Sequence, residues 1–502
     1  MTQELIAQYN YINDILKQQE IYTHACHVLQ YDQETICPPK AMEEQGEVSA
    51  ALGNMAFKLT KDPKFIEAAE NLYAHRGELN SFDRALIDDL HRNYLKTKNI
   101  TPEMNHEFSL VYNRAFVTWL EAKQKSDFSI FAPSLREVIE INKKDVSLRE
   151  QALPVLYDNL LGDYERGLTS ASLDECFGKC KERLLPLLEK IKNSKKVIRT
   201  DFLSRHADED KQRKFARYLL ELMRFDFERG SFTTSEHPFT DGLARNDVRI
   251  TTHYHEDMFY ANMYTVTHEG GHALFELLQP QENYDHHING LKSMSMHESV
   301  SRFYENRIAR SESFIRLVYP KLKELFPDVL GDVTERELYE AMNLVQPSLI
   351  RTEADEFTYT FHIIIRYEIE KEMLAGTVKV EDLPALWNEK YRQYLGVIVP
   401  SDREGILQDV HWTFGMGYFP TYALGNMYNA MYYNRLKNEL DIDALVAAGD
   451  FDTINGWMAK NVFAKADRLS ASEWIRDITG RDFTPDDFLD YLEAKYSAIY
   501  EL

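Results

Sequence analysis

Cysteine and glycine are both scarce in this chain of 502 residues, which has four of the first and 21 of the second. Four thiols are too few for a disulfide framework in a chain this long. Cys176 and Cys180 stand four apart on a predicted helix, without a second Cys or His pair nearby to complete a zinc site. We interpret all four as reduced thiols. The shortage of glycine is typical of a mainly helical protein.

Long apolar runs and an excess of positive charge are also missing. No stretch reaches the roughly 18 apolar residues that a membrane-spanning helix needs. The N-terminal segment lacks the basic and apolar regions of a signal peptide, so the expected location is the cytoplasm. The formal net charge of −23 would repel a phosphate backbone, which argues against nucleic-acid binding.

Apolar residues recur at helical spacing through the first 230 residues, for example in 5–16, 65–73, 86–95 and 108–120. Breaks fall at Pro, Gly and Asn-Ser, and Thr101-Pro102 has the chemistry of a helix start. There is no internal repeat and no low-complexity linker. The sequence therefore predicts one helical body over 1–502, with 1–100 as a lid-like segment.

The pattern changes to alternation in 225–256, where Val248, Ile250, Thr252 and Tyr254 form a period-two set beside glycine-rich turns. This predicts a small sheet directly ahead of the motif described next. In a peptidase, an exposed strand edge there could pair with a substrate backbone and hold it extended.

Three further residues of this segment are candidates for the site. Asp247 and Arg249 are either a surface ion pair of little energetic weight or residues that lie around the site. His237 precedes them. Their position next to the motif below favours a role in or around the site.

The spacing of the residues in His268-Glu269-Gly-Gly-His272 is typical of a metal site that activates water. On a helix, residues four apart share a face, so both imidazoles can hold one ion while Glu269 takes a proton from water activated by it. Gly270 and Gly271 would each cost roughly 1 kcal/mol inside a helix. We therefore expect another element to pack closely against this turn.

A catalytic zinc needs a third protein ligand. Glu298 is one candidate, on a second predicted helix with Ser295 as its N-cap. At that spacing Glu298 could instead complete a capping box. The other candidates are Glu276, Glu305 and the pair His286 and His287.

Two stretches further along carry candidate substrate groups. Arg351 and Asp355 would share a face of a long helix running to about residue 374. They could be a simple i,i+4 pair, or Asp355 could hydrogen-bond a ligand histidine while Arg351 binds a carboxylate. The glycine-rich loop of 405–425 suits close approach to a ligand, and a tyrosine hydroxyl there could stabilise an oxyanion.

Six motifs in order resemble the carboxypeptidase Taq family of metallocarboxypeptidases over essentially the whole chain. They are His237-Pro-Phe239, Asp247-x-Arg249-x-Thr251, His268-Glu-x-x-His272, His297-Glu298-Ser299, Ile350-Arg-x-x-Ala-Asp355 and Gly405-x-x-Gln-Asp-x-His411-Trp412. The chain departs from the family in having Val300 where Gln or Gly is usual.

The resemblance implies a neurolysin-like helical fold with a deep groove, an active-site core within 257–426, and a homodimer. It also implies zinc or cobalt, and removal of C-terminal residues from short peptides with broad specificity, proline being poorly accepted. Glu298 becomes the third metal ligand, Arg351 the partner of the terminal carboxylate, and His297 and Asp355 the groups behind the ligands. The substrate would also meet His237, Arg249, His411, Tyr418 and Tyr422.

Two other functions fit parts of the pattern. An oligoendopeptidase on the same scaffold would carry the same zinc motif and would lack a carboxylate-binding arginine at a closed end of its groove. A non-catalytic peptide-binding protein would need no base, so the presence of Glu269 beside the histidines argues against it.

Overall fold

The structure, a computed structural model, describes residues 1–289 and 293–502, with the backbone alone at 466 and 467. The helices of the described residues up to the site are α1 Gln3–Thr35, α2 Met42–Thr60, α3 Pro63–Ala74, α4 Ser81–Thr97, α5 Pro102–Lys125, α6 Phe128–Leu148, α7 Leu156–Tyr164, α8 Ser170–Lys192, α9 Glu209–Leu222, α10 Phe259–Leu278, α11 Gln281–Asp285 and α12 Met294–Arg302. The prediction of a mainly helical protein is confirmed.

The remaining helices are α13 Glu312–Leu325, α14 Pro327–Leu330, α15 Glu335–Met342, α16 Tyr359–Ala375, α17 Leu383–Leu395, α18 Pro420–Glu439, α19 Ile442–Ala448, α20 Phe451–Asn461, α21 Ala471–Thr479 and α22 Asp486–Tyr500. A π-helix, Phe303–Ala309, directly continues α12. Short 3₁₀ turns lie at Pro39–Ala41, Arg76–Glu78, Arg351–Glu353, Val380–Asp382, His411–Thr413 and Phe463–Arg468. Among the described helices, none is long and apolar enough to cross a membrane.

Helix starts follow the local chemistry that the sequence indicates. Thr101 is the N-cap of α5, accepting a hydrogen bond from the backbone N–H of Met104 at 3.2 Å, with Pro102 in the first helical position. Asp62 and Pro63 do the same for α3. These starts set where each helix enters the bundle.

The predicted small sheet lies directly ahead of α10 and has the strands β1 Gly230–Thr234, β2 Thr240–Ala244 and β3 Asp247–Thr252. β3 is central, parallel to β1 and antiparallel to β2. Its inward residues Val248 and Ile250 are fully buried, as the alternation requires. Tyr254 lies beyond the end of β3. β2 is one of the two edge strands, and it packs against both α10 and α1.

In the part of the chain that the structure describes, nearly all buried apolar residues fall into two separate clusters. The larger one runs from α5 to α22 and surrounds the site. The smaller one, which we call the N-terminal core, is built from α1, α3 and α4 together with Ile288. The contacts between the two parts include polar ones, such as His286 on Asp83 and His287 on Glu20.

Candidate active site

His268 and His272 lie one turn apart on α10, and Glu298 faces them from α12. The Nε2 atoms of the two rings are 3.8 and 3.7 Å from the same carboxylate oxygen, Oε2 of Glu298. One ligand atom of each residue lies within 4.8 Å of the others. Two imidazoles and a carboxylate are the donor set of a catalytic zinc site that keeps a fourth position open for water or substrate. The three residues therefore fit a divalent ion.

Glu298 does not belong to a capping box. Ser293, with an extended backbone, caps α12 by accepting from the N–H of Met296 at 3.1 Å, while Ser295 is buried inside the first turn. The predicted N-cap at Ser295 is therefore wrong by two residues. Because α12 starts earlier, Glu298 falls in its middle and its side chain is free to face α10.

The other candidate ligands have different partners. Glu276 lies 3.2 Å from His297, through Oε1 and Nε2. His286 and His287 contact Asp83 and Glu20 on the side of the N-terminal core. Glu305 contacts Nδ1 of His268, and not the Nε2 atom that faces Glu298.

Two glycines let the helices approach closely enough to bring the ligands together. A Cβ on Gly271 would lie 2.7 Å from the backbone Cα of Ser301, so α10 and α12 touch at this turn. A Cβ on Gly425, in α18, would lie 2.8 Å from Cγ of Glu298. The close approach expected from the glycines of the zinc motif is present at Gly271.

Arg302 and Glu305 orient two of the three ligands. Arg302 Nε donates to Oε1 of Glu298 at 2.7 Å, which leaves Oε2 facing the histidines. Glu305 Oε2 lies 2.8 Å from Nδ1 of His268 and also accepts from Arg302 Nη1 at 3.1 Å. Burial opposes the charge of Glu305, but Arg302 and His268 outweigh it and lower its pKa to about 2. With Nδ1 donating to this carboxylate, the Nε2 lone pair of His268 is available to an ion.

The spacing Glu298-x-x-x-Arg302-x-x-Glu305 could have pointed to this network. We missed Arg302 because a Glu–Arg pair four apart is usually an exposed helix pair. Here the arginine and both carboxylates are largely buried. The π-helix that begins at Phe303 carries Glu305, and such segments occur frequently at functional sites.

His272 is held differently from His268. Its Nδ1 is buried without a hydrogen-bond partner among the described residues, and its ring stacks on His297 with centroids 4.3 Å apart. Burial, together with the nearby His297 and His268, lowers the pKa of His272 well below its ordinary value. His297 thus lies directly beside a ligand, and His272 is a neutral imidazole suited to bind metal.

Asp355 does not make the predicted hydrogen bond to a ligand histidine. Its carboxylate accepts from the backbone N–H groups of Gln346, Phe357 and Thr358 and from the Thr358 hydroxyl. The predicted helix is present and ends close to residue 374 as expected, but its predicted start at residue 350 is wrong, because α16 begins at Tyr359. A 3₁₀ turn at Arg351–Glu353 and the turn organised by Asp355 precede α16, because those N–H groups bond to a carboxylate instead of helical carbonyls.

Glu269 lies between the two histidines in sequence and is 7% exposed. The Thr240 hydroxyl, on edge strand β2, is 2.7 Å from its Oε2. Burial raises the pKa of Glu269 above the usual range for glutamate. A raised pKa makes a carboxylate a better proton acceptor near neutral pH.

Arg351 is anchored by the glycine-rich loop. Its Nε donates to Asp409 Oδ1 at 3.0 Å, and its backbone N–H donates to Gln408. Asp409 also pairs with Arg366 at 2.6 Å. Burial opposes ionisation of Asp409, but the two arginines outweigh it and hold its pKa well below the usual range. The guanidinium of Arg351 lies 4.7 Å from the ring centroid of Tyr422.

The predicted oxyanion groups form one cluster. The Nε2 of His411 lies 3.2 Å from the Tyr422 hydroxyl, and the rings of Tyr418 and Tyr422 meet edge to face at 5.2 Å. Burial, with the nearby Arg351, lowers the pKa of His411 to about 4, so this ring is neutral at pH 7. A neutral imidazole can hydrogen-bond a tyrosine hydroxyl without adding charge.

His237 and Arg249 lie on the sheet side of the site. His237 is exposed between β1 and β2. Arg249 donates twice to Asp247 at 2.8 Å and lies 4.8 Å from the Tyr31 ring centroid on α1. The predicted ion pair is present and partly exposed, so its contribution to stability is small.

The fold is mainly helical with a small sheet, and it surrounds two histidines, one carboxylate as the third candidate ligand, and a neighbouring glutamate. Together these features define a helical metallopeptidase. More particularly, the chain belongs to the carboxypeptidase Taq (M32) metallopeptidase family, whose model matches residues 11–496. Membership implies peptide substrates and a divalent metal ion.

Named relatives match along nearly the whole chain. It is 37% identical to carboxypeptidase 1 of Bacillus subtilis, covering 97% of this chain and 98% of that protein. It is 35% identical to thermostable carboxypeptidase 1 of Thermus thermophilus, covering 94% of each. Among solved structures, an M32 carboxypeptidase from Deinococcus radiodurans R1 superposes with a TM-score of 0.95 at 31% identity, covering 99% of this chain and 100% of that one.

Replacing Arg302 by methionine is expected to weaken metal binding by about 10- to 100-fold, the usual cost of losing a group that orients a ligand. The substitution keeps much of the side-chain volume but frees the carboxylate of Glu298 to rotate. Zinc affinity is measured by competition with a chromophoric chelator. Arg213→Met, which breaks an exposed ion pair on α9, is the control. Equal affinities in the two variants would contradict the orienting role of Arg302.

Proposed function

We propose that this protein is a zinc-dependent carboxypeptidase that removes the C-terminal residue of short peptides. The observation that carries the proposal is Arg351, which is buried and anchored by Asp409 beside the tyrosine cluster. A guanidinium held this way is suited to a free carboxylate, which it can bind with two parallel hydrogen bonds. Binding the chain end aligns only the last peptide bond with the site.

His268, His272 and Glu298 would hold the ion. A divalent ion there supplies the Lewis acidity that lowers the pKa of water and polarises a carbonyl. Glu269 accepts the proton that the water loses when it attacks the C-terminal peptide carbonyl. The same carboxyl group then gives that proton to the leaving amine. The hydroxyls of Tyr422 and Tyr418 donate to the oxygen that becomes negatively charged, with His411 orienting Tyr422.

The narrower features of the proposal rest on the family. They are zinc as the ion, with cobalt as a substitute, broad specificity with proline poorly accepted, and action as a homodimer. A cytoplasmic location is also proposed, and it does not rest on the family. His237 and Arg249 would contact the substrate from the sheet side, and edge strand β2 would hold its backbone extended. A digest of a peptide library with added zinc or cobalt measures both the preferred ion and the preferred terminal residue.

The proposal predicts that a short peptide with a free C-terminus is cleaved far faster than the same peptide carrying a C-terminal amide. The amide removes the charge that Arg351 binds, and a hydrogen bond to a charged group contributes about 1.5–3 kcal/mol, or roughly 10- to 100-fold in kcat/KM. Product release is followed by mass spectrometry with the zinc-loaded protein. Equal rates for the two peptides would favour an oligoendopeptidase instead.

A further inference from the structure

Tyr359, the first residue of α16, lies between Arg351 and the candidate metal ligands. Its hydroxyl accepts a hydrogen bond from Nη1 of Arg351 at 3.2 Å. The guanidinium of Arg302 lies over the ring of the same side chain, 4.4 Å from its centroid. The side chain is buried, with 4% of its surface exposed. Tyr359 is therefore in contact with both arginines.

Each of these arginines has a separate task. Arg302 holds Glu298 through a hydrogen bond of 2.7 Å to Oε1. Arg351 is the group proposed to bind the terminal carboxylate. A single rigid ring between them makes a continuous path of contacts from the metal ligand to the carboxylate site. Phenol rings have only two side-chain torsions, so such a path fixes a distance well.

We propose that Tyr359 is a positioning residue that sets the separation between Arg351 and the metal centre, and so selects removal of a single C-terminal residue. The proposal rests on the proposed carboxypeptidase function. From the carbonyl that is attacked to the terminal carboxylate, a single residue spans about 3.5 Å of chain, and two residues span about twice that. If the guanidinium moved away from the metal centre, two residues would fit between the attacked carbonyl and the bound carboxylate. If it moved freely, no single length would be selected.

Asp409 alone does not fix this separation. It holds only Nε of Arg351, from the loop that also carries His411. Without the contact to Tyr359, Nη1 would lose this hydroxyl as a hydrogen-bond acceptor, and the guanidinium could tilt about the Asp409 contact. The ring of Tyr422 meets Tyr359 edge to face at 6.5 Å, which confines Tyr359 from the remaining side.

Tyr359→Phe tests the proposal because it removes the hydroxyl and keeps the ring under Arg302. We expect KM for a peptide with a free C-terminus to rise about tenfold, the effect of one hydrogen bond to a charged group. We expect kcat to stay within about twofold, since neither Glu269 nor the metal ligands are touched. The preference for the acid over the amide should fall about tenfold, and the share of product released as a dipeptide should rise.

Tyr367→Phe is the matched control. Tyr367 lies two turns further along the same helix, and its hydroxyl bonds to Ser170 and Asp174 of α8. The Tyr367→Phe variant should have the same KM, the same preference for the acid over the amide and the same products as the wild type. Bound zinc and thermal unfolding, measured on both variants, separate a loss of positioning from a loss of folding.

Three results would overturn the proposal. In the first, Tyr359→Phe keeps the wild-type KM and acid preference while the wild type discriminates strongly, which rejects Tyr359 and leaves the carboxypeptidase function standing. In the second, the variant loses kcat at unchanged KM, which assigns the hydroxyl to the transition state. In the third, the wild type cleaves acid and amide equally, which rejects the proposed function and this inference with it.

Discussion

Replacing Glu269 by glutamine is expected to lower kcat by about a thousandfold while the protein keeps its metal. Glutamine has nearly the same shape, and Thr240 can still donate to its side-chain oxygen. An amide, however, cannot accept a proton at neutral pH, and general-base catalysis contributes roughly 10²- to 10⁴-fold. The measurement is the steady-state rate on a short peptide with a free C-terminus, together with the zinc content of the same preparation.

Glu282→Gln provides the control for Glu269→Gln. Glu282 is exposed on α11, immediately after the helix that carries the site, and its substitution should change neither rate nor zinc content. A Glu269 variant that keeps more than a tenth of the wild-type rate would place the base elsewhere. A variant that loses zinc along with activity would make Glu269 part of the ion's own ligand set.

Gly271→Ala is expected to destabilise the protein by about 3 kcal/mol and to reduce its zinc content. The added Cβ would lie 2.7 Å from the backbone Cα of Ser301, so α10 and α12 must separate. Overpacking against a rigid backbone costs typically 1–3 kcal/mol or more. Because α12 carries Glu298, its displacement also moves a ligand away from His268 and His272. Thermal or denaturant unfolding and metal analysis measure the two effects.

Gly178→Ala is a control for which the expected change in stability has the opposite sign. Gly178 lies inside α8 with open space where a Cβ would go, so alanine should stabilise the protein by up to about 1 kcal/mol through helix propensity. Stability changes of the same sign in the two glycine variants would show that packing against α12 is not what requires glycine at position 271.

The sequence predicts the elements of this site better than the contacts between them. The zinc motif, the sheet ahead of it and the helical body follow from spacing and alternation, because these patterns reflect burial on one face. The choice of Glu298 among several acidic residues came from the family resemblance, since spacing alone allowed a cap as well as a ligand. The structure brings Glu298 to the histidines because the N-cap of the helix is Ser293, two residues before the predicted N-cap Ser295.

The predictions failed where a short pattern of polar residues is compatible with two different structures. Arg351 and Asp355, four apart, suggested one helix face, but Asp355 accepts the backbone N–H groups of the residues after it and so begins the turn that leads into α16. Arg302 was not predicted as a site residue, because its role depends on burial that only the packing of α10, α12 and α16 creates. Local sequence carries no information about such burial.

The N-terminal core buries its apolar residues apart from the main core, so we expect it to act as a cooperative unit of its own. Because α1, α3 and α4 bury their apolar faces largely against each other, this unit could separate from the main core without exposing it. Its ties include His24 on the Leu243 carbonyl of β2, at 3.0 Å, and the His286–Asp83 contact. Water can replace such polar ties at about 1 kcal/mol each.

We therefore expect global unfolding to depend on the main core around α10, α12 and α18. Access to the β2 edge should depend on the contacts that hold α1 against it. Substitutions at the surface between α1 and β2 would then change how fast long or bulky peptides enter, at a nearly constant melting temperature. We therefore expect substrate entry and thermal stability to change independently in this protein.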